Sequence, residues 1–282
     1  HNLVDHVIFS PRANIRFNPS EAVNLRVSYA GGYRAPQAFD EDMHIAVVGG
    51  KRVRIRLADD LKEERSHSVS LSADLYHNFG RVQTNLLVEG FYTILDDVFA
   101  LRDLEDTDDG GKIKERYNGS GAAVRGFNVE GRAIFTRWFE LQAGVTLQQS
   151  RYKEPEQWSE DADVPPVRRM FRTPDAYGYF TASFKPVRNF TADLTGTCTG
   201  SMLVQHMAGS GVAQDAAVST PSFFDMNVRL SYDLRIYKEI TLQLYGGVQN
   251  LFNAYQKDFD KGADRDSGYI YGPSLPRSWF VG

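Results

Sequence analysis

The sequence predicts an all-β fold, an antiparallel up-and-down transmembrane β-barrel of about eleven strands, and three observations lead there. The first is alternation. Between Ser222 and Ile236, Phe224, Met226, Val228, Leu230, Tyr232, Leu234 and Ile236 interleave with Asp225, Asn227, Arg229, Ser231, Asp233 and Arg235. A period of two puts the apolar set on one face of a strand and the polar set on the other. Two acids and two arginines on the polar face suit a water-filled lumen, and the opposite face suits lipid. The second observation is hydropathy. The mean is -0.40, and no apolar run approaches the roughly twenty residues of a spanning helix. Alternating strands average to a polar score, so a barrel is still allowed. The third is loop length: the connections between the predicted strands alternate strictly between short and long. Membrane barrels segregate tight periplasmic turns from long extracellular loops, whereas a soluble sandwich has no reason to.

Taken in order, Pro11 to Phe17 alternates Ala13, Ile15 and Phe17 with Arg12, Asn14 and Arg16, and a turn at 18–21 leads to Val23, Leu25, Val27 and Tyr29. A long segment, Arg34 to Asp60, follows. Val69, Leu71, Ala73 and Leu75 then alternate with serines and Asp74, and Asn78-Phe79-Gly80 turns into Leu86, Val88, Gly90 and Tyr92. Beyond an Asp/Gly-rich loop (103–111), Phe127 to Phe135 and Leu141 to Leu147 form a pair around Thr136-Arg137. The loop 152–170 carries Pro155, Pro165 and Pro166, which a central strand excludes. Phe180 to Phe184 turns at 186–189 into Phe190 to Cys198. A Gly/Ala/Ser loop (205–219) precedes the 222–236 strand, and Lys238-Glu239 turns it into Ile240 to Val248. A polar loop (255–268) precedes the segment from Tyr269 to Gly282, which looks like a final strand cut short. The short–long cycle recurs without a shared sequence motif, so this is repeated architecture and no propeller or solenoid.

The bulk numbers exclude several classes. Thirty-two basic against 36 acidic residues, a net charge of -4, lack the clustered positive charge of a nucleic-acid surface. The single Cys198 forms no internal disulfide, and on the predicted lipid face a thiol is a small apolar group. No G-x-S-x-G, H-E-x-x-H or phosphate-binding glycine loop occurs, so no catalytic residue is assigned. The opening residues, HNLVDHVIFS, look like mid-strand sequence, and an odd strand count leaves unpaired backbone in lipid. The first feature predicts a lost upstream segment, and the second predicts either one unrecognised strand or an absent remainder of the barrel.

Several short motifs carry a resemblance. Ser10-Pro11-Arg12, Gly32-Tyr33-Arg34-Ala35-Pro36 with Glu41, Leu61-Lys62-Glu63-Glu64-Arg65-Ser66, Asn250-Leu251-Phe252-Asn253 with Tyr255, and Gly272-Pro273 with Pro276-Arg277 occur in this order. Together they resemble the C-terminal half of a TonB-dependent outer-membrane receptor. Glu63 stands where that family usually has proline, and Ser70-Leu71-Ser72 replaces its later E-x-G. The resemblance implies half of a 22-stranded barrel in the outer membrane of a Gram-negative bacterium. By the same resemblance, residues 1–282 are the C-terminal part of one barrel domain short of a few terminal residues, with the first half of the barrel, a plug domain and a TonB box outside this chain. It implies active uptake of a metal-bearing nutrient, a ferric siderophore first, with haem or cobalamin as alternatives. The TonB system, the nutrient and the lipid bilayer are then the partners, and nucleic acid is not. No resident cofactor is required, and iron or cobalt enters only within the transported ligand. An outer-membrane hydrolase of phospholipase type, twelve strands complete, is the competing expectation from another class.

Candidate ligand residues fall in the long connections. Arg34 sits where a strand enters a loop, where positioning that loop competes with ligand contact. Met43 and His44 share that loop; the resemblance to haem receptors makes His44 an axial-ligand candidate against an ordinary solvated histidine. His206 and Met207 form a second such pair or plain loop residues. Arg168 and Arg169 offer charge to an anionic siderophore, or pair with neighbouring acids. Trp158 and Tyr269 offer rings for stacking, or join an interfacial girdle. Asp106, Asp108 and Asp109 offer oxygen ligands to Ca²⁺ without the spacing of an EF-hand loop, or belong to a plain solvated acidic loop.

Overall fold

A computed structural model describes residues 6–37, 53–106, 112–273 and 275–282. Among these residues seventeen strands occur in order: β1 Arg12–Ser20, β2 Val23–Arg34, β3 Val53–Leu57, β4 Glu64–Phe79, β5 Val82–Asp96, β6 Phe99–Asp106, β7 Lys112–Asn118, β8 Ala122–Thr136 and β9 Phe139–Glu156. They continue as β10 Val167–Arg169, β11 Ala176–Phe184, β12 Phe190–Thr199, β13 Leu203–His206, β14 Ala216–Ser219, β15 Phe223–Tyr237, β16 Ile240–Gln249 and β17 Ser278–Val281. Eleven of them follow one another in an antiparallel sheet in the order β1-β2-β4-β5-β8-β9-β11-β12-β15-β16-β17, and β10 joins that sheet by pairing antiparallel with β9. Each wall strand pairs with its nearest wall neighbours in sequence, the up-and-down path that the alternating connections predict. Among the described residues β1 pairs only with β2 and β17 only with β16.

The wall is built inside out relative to a water-soluble domain. Along β4, Val69, Leu71 and Leu75 are exposed while Ser66, Ser68, Ser70 and Ser72 are half-covered. Along β15, Phe224, Leu230, Tyr232, Leu234 and Ile236 are exposed, and Asp225, Asn227, Ser231 and Asp233 are not. Phe127, 64% exposed, and Leu147, 55%, continue this outward band across the sheet. The chain exposes 18368 Å², against about 12,000 Å² for a compact monomer of its mass. That total counts both faces of the wall, and it is the contiguous outward band of exposed apolar side chains that needs lipid as its solvent.

The inner face is hydrogen-bonded row by row. Asn128 donates to Glu89 and accepts from Thr146. In the next row, Gly144 lies between Glu130 and Tyr179 in the register. The Tyr179 ring crosses Gly144 to donate to Glu130 at 2.6 Å, and Gln142 donates to the same carboxylate at 2.8 Å. A Cβ at Gly144 would stand 2.7 Å from the ring, so glycine is what lets a tyrosine bridge two strands. At the short-turn end, Phe135, Trp138, Phe139 and Phe184 form a chain of ring contacts at 5.1 to 6.3 Å, the aromatic girdle expected at a membrane interface. Gly80, with φ of 61°, takes the left-handed conformation in the β4–β5 turn.

The long connections depart from the expectation of plain loops. The 34–60 segment contains β3, and β6 and β7 flank residues 107–111. Together they form a small sheet in which β3 runs parallel to β7. The run Val53, Ile55, Leu57 against Arg54 and Arg56 carries the strand period there, and a reading centred on wall-length runs passes over it. The loop 205–219 is bracketed by the β13–β14 hairpin. The final strand is shorter than expected, because residues 269–273 belong to the loop layer.

Candidate functional site

All five long connections emerge at one end of the wall, and their packing forms the candidate site. The motifs meet there. Gly31 donates its N–H to the Pro11 carbonyl at 2.8 Å, and a Cβ at Gly31 would stand 3.0 Å from Pro11 Cδ. The glycine-tyrosine-arginine motif is therefore shaped by the proline-arginine motif beside it. Arg34 and Glu64, directly opposite across β2 and β4, form an ion pair at 3.3 Å. Glu64 also accepts the Phe99 N–H at 2.5 Å, and the Arg34 guanidinium lies 5.0 Å over the Phe99 ring. Arg34 thus joins the start of one long connection to the start of the next. On the other side of Phe99, Arg116 is almost fully buried and donates to the Gln37 carbonyl at 2.6 Å. Asn118 clamps the same region, donating to the Lys62 and Asp97 carbonyls and accepting from the Lys62 N–H.

Glu63, where proline is usual, is buried and holds Arg65 at 2.6 Å and His6 at 3.3 Å. Burial pushes its carboxyl up, but the hydrogen bonds from Arg65, its own backbone and His6 outweigh that and leave it below the usual carboxylate range.

A second knot surrounds Met202, Val204 and Tyr269, which form a buried apolar cluster with Val218 and Tyr271 against it. His206 is buried, its ring stacked 3.7 Å from that of Tyr269, and its Nε2 meets Asp260 at 3.0 Å. Asp260 also accepts the Asp266 N–H, and Asp266 accepts those of Met207 and Gly268. Gln256, wholly buried, donates to the Tyr269 carbonyl and accepts the Tyr271 N–H. Asp258 accepts both tyrosine hydroxyls. Burial raises the pKa of both phenols, and the Asp258 carboxylate adds to it. Arg172, at φ 57°, donates to the carbonyls of Gly268 and Ile270. Asn250 and Asn253 of the asparagine-leucine-phenylalanine motif take φ of 50° and 56°. Asn250 bridges the Ala254 and Leu275 carbonyls, and Asn253 accepts the Arg277 N–H, so this motif closes the last connection against β16.

Of the predicted ligand residues, His206, Met207 and Tyr269 come together in this second knot, each engaged with the protein itself. Trp158 donates to the Pro165 carbonyl and packs edge-on against Phe171 at 5.3 Å. Arg169 holds the Ser201 carbonyl and Asp175, whereas Arg168 is exposed. Met43, His44, Asp108 and Asp109 lie outside the described residues, as does the side chain of Asp106. Among the described residues no group of three or more His, Cys, Asp or Glu could hold a metal ion.

The sequence reading missed an arginine face. Arg54 and Arg56 are exposed on one side of β3, and the register aligns Arg56 with Glu115 and Arg102 across the small sheet. Arg102 donates to Glu115 at 2.5 Å, and its guanidinium lies 4.9 Å over the Tyr117 ring. Glu115 is buried beneath it. Arg56 and Arg102 flank the covered Glu115 in the register and Arg54 lies two residues along β3 on the same side, which makes a basic, partly aromatic face at the loop end. The signal was the Arg-Val-Arg-Ile-Arg-Leu alternation of 52–57, legible as a strand with a basic face.

The family described as TonB dependent receptor-like, beta-barrel, matches residues 4–251. No curated protein matches the chain. Among solved structures, the ferric-catecholate import receptor Fiu of E. coli K12 superposes with a TM-score of 0.62 at 18% identity, over 96% of this chain and 34% of its own. The ferric enterobactin receptor PfeA of Pseudomonas aeruginosa, with its Q482A substitution and enterobactin bound, gives 0.64 at 16%, over 96% and 40%. The copper transporter OprC gives 0.63 at 12%, over 96% and 38%. At these identities the likeness shows the fold, and the chain spans 40% or less of each of these relatives.

Proposed function

The chain belongs to the TonB-dependent receptor β-barrel family of the Gram-negative outer membrane, and from that premise we propose that it is the C-terminal part of one barrel whose parent protein imports an anionic metal chelate, a ferric siderophore first. The outer-membrane hydrolase alternative falls with the family, whose members are transporters. Uptake would start at the loop layer and end when the plug, elsewhere in the parent protein, is pulled through the TonB system.

The arginine face of Arg54, Arg56 and Arg102 is the observation that carries the ligand class. A ferric chelate with several anionic oxygens gains charge-assisted hydrogen bonds from arginines held on a rigid sheet, and Tyr117 adds a ring beside them. That two of the similar structures are named for ferric catecholate and ferric enterobactin supports the class. The two packed knots support the geometry: they hold the loop ends still, so binding energy is not spent ordering them.

The test is titration of the parent receptor with anionic and neutral ferric chelates, haem and a corrinoid. Arg54→Gln with Arg56→Gln should weaken the anionic chelate about tenfold or more and leave a neutral one unchanged. Micromolar binding of none of these ligands would overturn the transport reading. Binding indifferent to the double substitution would overturn the assignment of the arginine face.

A further inference from the structure

We propose that the arginine face ends in a subsite for a protonated amine, formed by Glu156 beyond Tyr117, so that the imported chelate carries anionic oxygens at one end and an ammonium arm at the other. The subsite rests on the reading of Arg54, Arg56 and Arg102 as the place of the anionic oxygens. One side of the small sheet leads from one end to the other. Residues opposite in register share a side, and so do residues two apart on a strand. Arg56, Glu115 and Arg102 therefore form one row, and Tyr117 with Ala100 forms the next. The chain leaves β7 through Gly119, whose N–H donates to the Val98 carbonyl at 2.7 Å. A Cβ at Gly119 would stand 3.4 Å from the Ala100 Cβ and 3.7 Å from Glu156 Oε2. The face thus runs from the arginines over Tyr117 and past Gly119 to a carboxylate contributed by the end of β9. From Glu115 to Gly119 is four residues (119 − 115), about 14 Å at about 3.4 Å per residue, so one chelate can reach both ends.

Glu156 differs from Glu63, Glu64 and Glu115, each of which holds an arginine. It is half-buried and makes no hydrogen bond or ion pair among the described residues. Burial pushes its carboxyl up, the mark of a carboxylate taken from water without a partner. Ser120, next to Gly119, also leaves its Oγ buried without a partner among the described residues. Tyr117 stands between the two charges. Burial raises its phenol, the Glu156 carboxylate raises it further, and Arg102, 4.9 Å over its ring, opposes both. An ammonium supplies the cation that Glu156 lacks, through short charge-assisted hydrogen bonds. Ca²⁺ would need about six to eight oxygens, and Glu115, on the same side of the sheet, is already engaged by Arg102.

The test uses the parent receptor and two ferric tris-catecholate chelates alike except at one arm, a free aminoalkyl group in the first and its N-acetyl derivative in the second. Dissociation constants are read at neutral pH by equilibrium dialysis with radioactive iron. Wild type should bind the free amine about tenfold more tightly than the acetylated form. Glu156→Gln should remove that preference by weakening the amine chelate alone, whereas Glu154→Gln, the same charge loss at an exposed neighbour, should keep it. Arg54→Gln with Arg56→Gln should weaken both chelates alike and leave their ratio unchanged. Equal binding of the two chelates by wild type, a preference that survives Glu156→Gln, or one lost equally with Glu154→Gln would overturn the amine subsite and leave the arginine face standing. Binding of neither chelate would overturn the anionic-chelate reading of the arginine face, and the amine subsite with it.

Discussion

The wall and the loop layer are built by opposite rules. In the wall the large apolar side chains are exposed and the polar ones half-covered and bonded to one another; in the loop layer the apolar cluster of Met202, Val204 and Tyr269 is buried as in a soluble domain. One chain can follow both rules because the solvent changes along its length. Lipid surrounds the wall and fills no role inside it, so inner-face groups must find partners among themselves, as Glu130, Gln142 and Tyr179 do. Water surrounds the loops, so they must cover apolar surface to stay folded.

That contrast can be broken most forcefully at Leu230. Leu230→Arg should cost roughly 2–4 kcal/mol near the bilayer midplane, while Arg229→Leu, whose guanidinium lies over Tyr245 at 4.6 Å on the other face, should cost far less. Equal losses in a folding titration into vesicles would mean that the faces are misassigned. The loop layer is probed by Val204→Ala. This wholly buried residue should lose about 2 kcal/mol of local stability, read by hydrogen exchange of β13 and β14. Val145→Ala, exposed to lipid, should lose clearly less.

Smaller is the pH effect at Glu63. Its carboxyl is held below the unfolded value, so its contribution is present above that value and lost as pH falls through the folded one. Exchange at residues 61–66 should therefore quicken on acidification below the ordinary carboxylate range, and Glu63→Gln should flatten that response. A profile identical in the variant would remove Glu63 as the cause. The smallest effect is expected inside the lumen. Arg132 and Glu140, paired at 2.6 Å but half-exposed to water, should show a coupling of at most about 1 kcal/mol in a double-mutant cycle.

The same contrast explains what was legible in the sequence. Wall strands announce themselves because lipid and lumen impose strict alternation, so all eleven are recognisable, with turns such as Asn78-Phe79-Gly80. Strand ends were placed short: β9 runs on to Glu156, because residues above the bilayer no longer obey the lipid pattern. The loop layer was opaque for a related reason. Its order comes from pairings across long sequence distances, such as Arg116 to Gln37 and His206 to Asp260, which no local period encodes. The motifs were visible, but their physical sense, Arg34 opposite Glu64 and Gly31 against Pro11, appears only when the strands are side by side.

The most direct measurement is a nitroxide scan along positions 224–236 of the parent receptor in vesicles, with Cys198 replaced by serine. Collisions with lipid-soluble oxygen and with a water-soluble nickel chelate are compared at each position. Maxima for oxygen at the even positions and for nickel at the odd ones, with period two, are predicted. A flat profile, or oxygen maxima at 225, 227, 229 and 231, would contradict a wall with lipid on one side and water on the other.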